Sequence, residues 1–483
     1  MNAAVIRRAA LHLKLFVCAL LVCSGLRAQT DEWESTVAEA SRAYTRSQFG
    51  EAERLLRMAI AETEKFPAAD PRRATSLNDL AAVYDTLGRY GDAEPLYRQA
   101  LALMEKNLGP NDPNVATTLN NLAELDRALG KYADAEALHN RALVIREKVL
   151  GPDHPDVAES LRNLGALYDL EGRYRVAEKL YLRSLGIQEK KLPPDDPAIG
   201  KTTNNLADLY CTEGRYSSAE PLYRRSLEIL EKSRGPGHPD VATILNNIGE
   251  LYRLEGKYPL AEPYYKRAIG ILEQRFGEKH PTLAVSLNNL GELDRAEGKY
   301  AEAESLYRRS LAILETAFGQ QHPNLAATLN NLGELYRERS QFSESERMYQ
   351  RALDILQKAF GPAHPNLAIT LTNLAELYDE EGNHAKAELL YVRSLKILES
   401  ALGPDHPNVA AAVNKLSVLY GYEGKYEQAD SFCKRALVIL KRNLGPDAPE
   451  VLKTTRTCSD LDDRIAQEAE IKKMQSKSKS LAQ

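Results

Sequence analysis

The sequence predicts an all-α fold, an α-solenoid, on three observations. A proline recurs every 42 residues, at Pro71, Pro113, Pro155, Pro197, Pro239, Pro281, Pro323, Pro365, Pro407 and Pro449, with no residue inserted or deleted between copies. Self-similarity at a period of about 20–50 residues marks a stack of repeats, each burying its apolar face only against its neighbours. Each period also holds two stretches with apolar or small residues at i, i+3, i+4 and i+7, the spacing of one helical face. Finally, the 24 tyrosines fall into fixed columns, whereas phenylalanine numbers only 8.

Residues 1–28 stand apart. Arg7 and Arg8 precede an apolar stretch, Leu15 to Leu26, and Ala28 comes before the polar chain. A basic start, a short apolar run and a small residue read as a secretory signal peptide, hence export to the periplasm or medium. An N-terminal membrane anchor is the alternative, but a spanning helix needs about 20 apolar residues, so no stable span is expected. Lipoprotein attachment at Cys18 or Cys23 is disfavoured, since Val17 and Val22 stand where a small residue belongs.

Residues 29–70 read as an imperfect helix pair, Trp33–Thr45 and then Phe49–Phe66 with Ala52, Leu56, Ala59 and Ile60 inward. Nine regular units fill 71–448. In the unit from Pro239, residues Leu245, Ile248, Gly249 and Tyr252 share one face. Pro239 suits the first helical turn and Gly256 the C-terminal cap. A second helix is predicted from about Tyr258 with Ala261, Tyr265, Ala268 and Ile269 inward, ended by Gly277. Pro259 and Pro263 fall in its first turns, where a missing N–H is tolerated. Residues 449–470 repeat only the first helix, with Asp462, Asp463 and Arg464 on a polar outer face that suits a solenoid end. The Lys/Ser-rich stretch 471–483 is expected to be disordered.

Loss of residues 1–28 would remove four basic residues and no acid, taking the net charge from −5 to −9. With no basic stripe along the repeats, nucleic-acid binding is disfavoured. Cys211, Cys433 and Cys458 are scattered and odd in number, which is no disulfide framework. Cys433 and Cys458 occupy columns of Tyr and of Leu or Ile and read as core hydrophobes; Cys211 reads as the free thiol.

The repeated strings LNNLGELY, EGKY, AExLYRRAL and LGPxHPxVA resemble the kinesin-light-chain type of tetratricopeptide repeat, over about residues 31–465. The resemblance implies a right-handed superhelix whose first helices line a concave groove for peptide or protein partners. Cargo binding on a microtubule motor does not carry over, because the chain has no N-terminal coiled-coil heptads and begins with a signal peptide.

A helical wheel puts Thr243, Asn247, Glu250 and Leu254 opposite the core. Asn247 belongs to a column of Asn121, Asn163, Asn205, Asn247, Asn289, Asn331 and Asn373, followed at i+3 by Glu124, Asp208, Glu250, Glu292, Glu334 and Glu376. An Asn amide can bond both C=O and N–H of an extended backbone, so the column could hold a peptide of little sequence preference. Alternatively these Asn bond across to neighbouring repeats and stiffen the stack. Arg127, Arg253, Arg295 and Arg337 lie at ion-pair spacing on the groove flank, which would neutralise part of the acidic column. A second column (Asn120, Asn204, Asn246, Asn288, Asn330, Asn414) lies further from the groove centre.

His154, His238, His280, His322, His364 and His406 precede the periodic prolines. Zinc ligands must converge to about 2.0–2.3 Å from one ion, whereas adjacent repeats sit about 8–10 Å apart. Loop capping or packing is therefore the reading, and no metal or other cofactor is expected. No nucleophile–base order, phosphate-binding Gly loop or paired-Cys motif appears, so a non-enzymatic protein-interaction module leads. The alternatives are a structural spacer of an envelope complex, working through its ends or convex face, and, remotely, an enzyme built across repeats.

Overall fold

The computed structural model describes residues 27–481, with side chains over 32–475. Nearly all of the expected signal peptide lies outside the described residues. Among those described there are 21 α-helices and no strand. The first pair is Arg27–Thr45 and Phe49–Glu62, the latter continued by a short tight turn at Thr63–Lys65. Nine regular pairs follow. In the fifth, the helices are Pro239–Leu254 and Tyr258–Phe276. Gly256 and Gly277 sit at φ +73° and +88°, ending them in the left-handed region that glycine enters without a Cβ clash.

The small columns set the packing distance within each pair. Ala261, Tyr265 and Ala268 are fully buried. A Cβ added at Gly249 would lie 2.7 Å from the Tyr265 ring, so the missing side chain lets the second helix close on the first. Pair joins pair through buried polar stitches. The Asn246, Asn288, Asn330 and Asn414 amides each donate to the hydroxyl 40 residues on, at Ser286, Thr328, Thr370 and Thr454, over 2.8–3.2 Å. Four members of the second Asn column thus fasten repeat to repeat, while Asn120 meets His139 and Asn204 donates to Asp208 within their own repeats.

The stack winds far enough for its second turn to rest on its first. His322, His364 and His406 donate from Nε2 to the carbonyls of Thr86, Ala128 and Leu170, 236 residues earlier, at 3.0–3.1 Å. Phe318 stacks on Phe49 and Phe360 on Tyr90, with centroids 5.4 and 5.2 Å apart. Ser47 meets His280 at 2.8 Å, and Pro449 lies over Gly214. One superhelical turn therefore takes between five and six repeats.

Two expectations are corrected at the C-terminal end. Cys433 and Cys458 form a disulfide, with Cα atoms 5.6 Å apart, rather than packing as separate core thiols. The last helix, Pro449–Leu481, runs past residue 470 through the stretch expected to be disordered. Beyond Pro449 it contains neither Gly nor Pro, and its Ala, Glu, Gln and Lys are good helix formers. Cys211 takes no part in a disulfide, as expected, but is buried.

Candidate functional site

The first helix of each regular pair begins at the periodic proline or one to two residues after it, and first helices of successive pairs touch one another, which sets them on the inner face of the superhelix. The Asn column lies on these first helices, with Asn163 and Asn289 buried in the stack. Asn121 donates to Asn78 Oδ1 and Asn247 to Asn204 Oδ1, both at 3.0 Å and both across to the preceding repeat. Asn163, Asn205, Asn289, Asn331 and Asn373 form no such bond; among the described residues no side chain engages their amides. Asp79 starts the same column in the first regular repeat, and was not singled out because it is not Asn. Burial pushes its carboxyl up to about 7, against a weak bond from Asn78.

The acidic column is largely committed internally. Glu124 pairs with Arg127 at 3.0 Å, Glu250 with Arg253 at 2.8 Å and Glu292 with Arg295 at 2.9 Å. From there the pairing crosses repeats: Arg295 also meets Glu334 at 3.4 Å, and Arg337 meets Glu376 at 3.7 Å, while Lys415 reaches Glu376 at 2.7 Å. Asp208 accepts from the Tyr223 hydroxyl at 2.5 Å and from Asn204 at 3.0 Å. Glu250 accepts from Tyr265 at 3.1 Å. Buried beside two carboxylates, the Arg253 and Arg295 guanidinium groups are held more firmly protonated than usual, burial opposing and the acids prevailing. Burial raises Glu334, partly offset by Arg295 and Arg337. The first helices therefore carry neutral amides, some buried or bonded across repeats, flanked by a nearly self-compensated charge ladder.

The sequence-predicted histidines do not converge. Among the described residues no group of three His, Cys, Asp or Glu side chains could hold a metal ion. Nδ1 of His154, His238, His322, His364 and His406 instead accepts the backbone N–H two residues on, capping the helix that follows. The Nε2 contacts that His322, His364 and His406 make across the superhelical turn were missed by sequence reasoning. One signal was present: the column ending each second helix changes from Leu108, Leu150 and Leu192 to Phe276, Phe318 and Phe360, and each Phe stacks on its His at 4.3–4.4 Å.

Repeated antiparallel helix pairs in unbroken register, with a polar line along their inner helices, define a helical-repeat interaction scaffold. The chain belongs to the tetratricopeptide repeat family: models of that repeat match residues 73–190, 199–400 and 409–450. Among curated proteins, none matches the sequence. Its solved neighbours include kinesin-light-chain-like repeat proteins. BtubC (BKLC) from P. vanneervenii is 27% identical over 51% of this chain and 92% of that one, with a TM-score of 0.37. A Podosopora anserina protein of nearly identical kinesin-light-chain repeats is 26% identical over 43% and 99%, with a TM-score of 0.36. A Rap protein complexed with Competence and Sporulation Factor shares the fold at 17% identity, covering 77% of this chain and 99% of that one, with a TM-score of 0.52. No helix among the described residues is long and apolar enough to cross a membrane.

Proposed function

We propose that the protein is an exported, non-catalytic module that holds an extended peptide or protein segment along its inner face. The observation that carries this reading is the set of amides in the Asn column that no protein side chain engages among the described residues, of which Asn205, Asn331 and Asn373 are partly exposed and Asn163 and Asn289 buried. An amide with two donors and two acceptor lone pairs matches peptide backbone and ignores side-chain identity. Export is supported by the basic and apolar character of residues 1–28 and by the Cys433–Cys458 disulfide, since disulfides persist mainly in oxidising compartments. The partner is a protein or peptide; the compensated charge ladder removes most of the basic preference that the acidic column alone would suggest.

The test is selection of binders from a random peptide library, followed by calorimetric titration of wild type and of Asn289→Ala with Asn331→Ala. The double variant should bind at least tenfold more weakly with unchanged helical circular dichroism and melting temperature. A failure to select any peptide, or equal binding by the variant, would sink the groove reading. The alternative, a structural spacer acting through its ends or convex face, is favoured by how little of Arg253 and Arg295 is exposed, 15% and 11%. It predicts that the double variant leaves any native envelope complex intact.

A further inference from the structure

The contacts between superhelical turns form a regular seam that the groove does not use. His322, His364 and His406 each bridge two backbone groups. Their Nδ1 accepts the N–H of Asn324, Asn366 and Asn408 at 2.9–3.2 Å, which places the ring proton on Nε2. That proton is given to the carbonyl of Thr86, Ala128 or Leu170 on the turn above. The Nδ1 bond requires the neutral imidazole, whereas the Nε2–H bond to the carbonyl is open to either form, so burial of the ring and the backbone N–H facing Nδ1 are what oppose a second proton. A second proton would have to sit on Nδ1, where it would face the backbone N–H it now accepts.

The rings are 4–6% exposed, packed against Pro and the left-handed Gly88, Gly130 and Gly172 of the facing hairpins. A Cβ at those glycines would fall 2.6–3.1 Å from Pro323, Pro365 or Pro407, so the approach is close. The charged groups on the facing hairpins are occupied elsewhere. Arg89 pairs with Asp92 and Glu53, Lys131 with Glu94 and Asp126, and Arg173 with Glu136 and Glu171; Asp85 and Asp169 also have partners. On the histidines' own side, Arg351 holds Glu315 and the Gln320 carbonyl, Arg393 the Pro362 carbonyl, Arg435 Glu399, and Arg442 Asp405. Among the described residues no carboxylate is therefore positioned to stabilise an imidazolium.

We propose that the seam is a pH-operated latch: neutral His322, His364 and His406 hold the second superhelical turn on the first, and their protonation parts the turns while the repeats stay folded. The repeats do not depend on the seam, since each buries its core against sequence neighbours. Burial lowers the three imidazoles from 6.5 to about 4, opposed only by the carbonyl bonds. At pH 5 each would favour the parted state by about 30-fold, and the three together by about 30,000-fold. The seam's contribution is complete above pH 6.5 and is lost as the pH falls toward 4.

Small-angle scattering and far-ultraviolet circular dichroism on the whole chain between pH 7.5 and 4 test this. The radius of gyration should rise within the pH 6.5–4 window with the helical signal unchanged. His322→Asn with His364→Asn and His406→Asn keeps a capping oxygen but removes both the Nε2 donor and the titration, so its radius should be equal at pH 7.5 and pH 5. Tyr90→Ala, which deletes an apolar rung and no histidine, should move the wild-type midpoint to higher pH. A constant wild-type radius, expansion only alongside loss of helix, or the wild-type response in the triple variant would overturn the latch. Should the triple variant not fold, an unshifted midpoint in Tyr90→Ala does so.

Discussion

Asp126 and Asp294 break a column that is Tyr in the other seven regular repeats. Tyr84, Tyr168, Tyr210, Tyr252, Tyr336, Tyr378 and Tyr420 each donate a hydroxyl to a Glu of the preceding repeat. At position 294 a shorter carboxylate is buried instead, and burial with nearby Glu262, Glu297 and Glu302 pushes it up to about 6, Lys299 opposing. An acid with a raised folded pKa weakens the fold when ionised, and the penalty fades as the pH falls below 6. Asp294→Tyr restores a ring and a donor toward Glu262, and should raise stability by about 1 kcal/mol at pH 7.5. In urea titrations that gain should shrink toward pH 4, where wild-type Asp294 takes up its proton; a gain independent of pH would contradict the account. Ser340 makes a similar break: it sits at φ 56° where most hairpins use Gly. Ser340→Gly should stabilise the fold by about 1 kcal/mol, read as a higher urea midpoint. Both departures are legible in the sequence as residues out of column, but their cost depends on surroundings that only the packing reveals.

At the scale of helices, the sequence is nearly sufficient. Pro239, Gly256, Tyr258 and Gly277 bracket two helices whose observed ends fall at the expected residues, because caps and the 3.6-residue period are local signals. Ala261, with no exposed surface, is the point of closest approach within its pair. Ala261→Leu should cost about 1–3 kcal/mol by overpacking, read as a lower urea midpoint; a neutral result would show that the contact has slack. The disulfide was not legible in the same way. Cys433 and Cys458 each replace a different column residue, and only the fold shows that those columns meet. Their equivalents four repeats earlier, Tyr265 and Leu290, share one hydrophobic cluster. Closing a loop with a separation of 25 residues stabilises the end of the solenoid by about 3 kcal/mol. Cys458→Ser should therefore speed amide exchange in the Pro449 helix while leaving the first repeats unaffected. Uniform acceleration along the chain would refute an end-specific staple.

The whole molecule shows what a local reading cannot reach, since contacts 236 residues apart leave no periodic trace. The junction column records them all the same. Four of the five docked junctions, at His280, His322, His364 and His406, carry His, the fifth being Ala448 beside Pro449, whereas Asp70, Asp112 and Asp196 stand among the undocked ones. Asp70, Asp112 and Asp196 cap their helices by accepting the N–H two residues on, so capping does not distinguish them from His. The difference is that a carboxylate has no N–H to give to a carbonyl on another turn. His154 and His238, the two histidines in the undocked set, stay 39% and 29% exposed. Gly256, Gly298, Gly382 and Gly424, on the free hairpins of the second turn, would have open space around an added Cβ. Both halves of the seam are thus displayed at opposite edges, and joining them between copies would be an open-ended, heterologous contact. Aspartate at the free junctions opposes that joining by setting carboxylate against carbonyl. Asp112→His with Asp196→His should therefore raise the weight-average mass in sedimentation equilibrium as concentration increases, relative to wild type, and the excess should disappear at pH 5 as the new imidazoles protonate. Association that persists at pH 5, or none at either pH, would show that the choice of His or Asp does not decide which junctions dock.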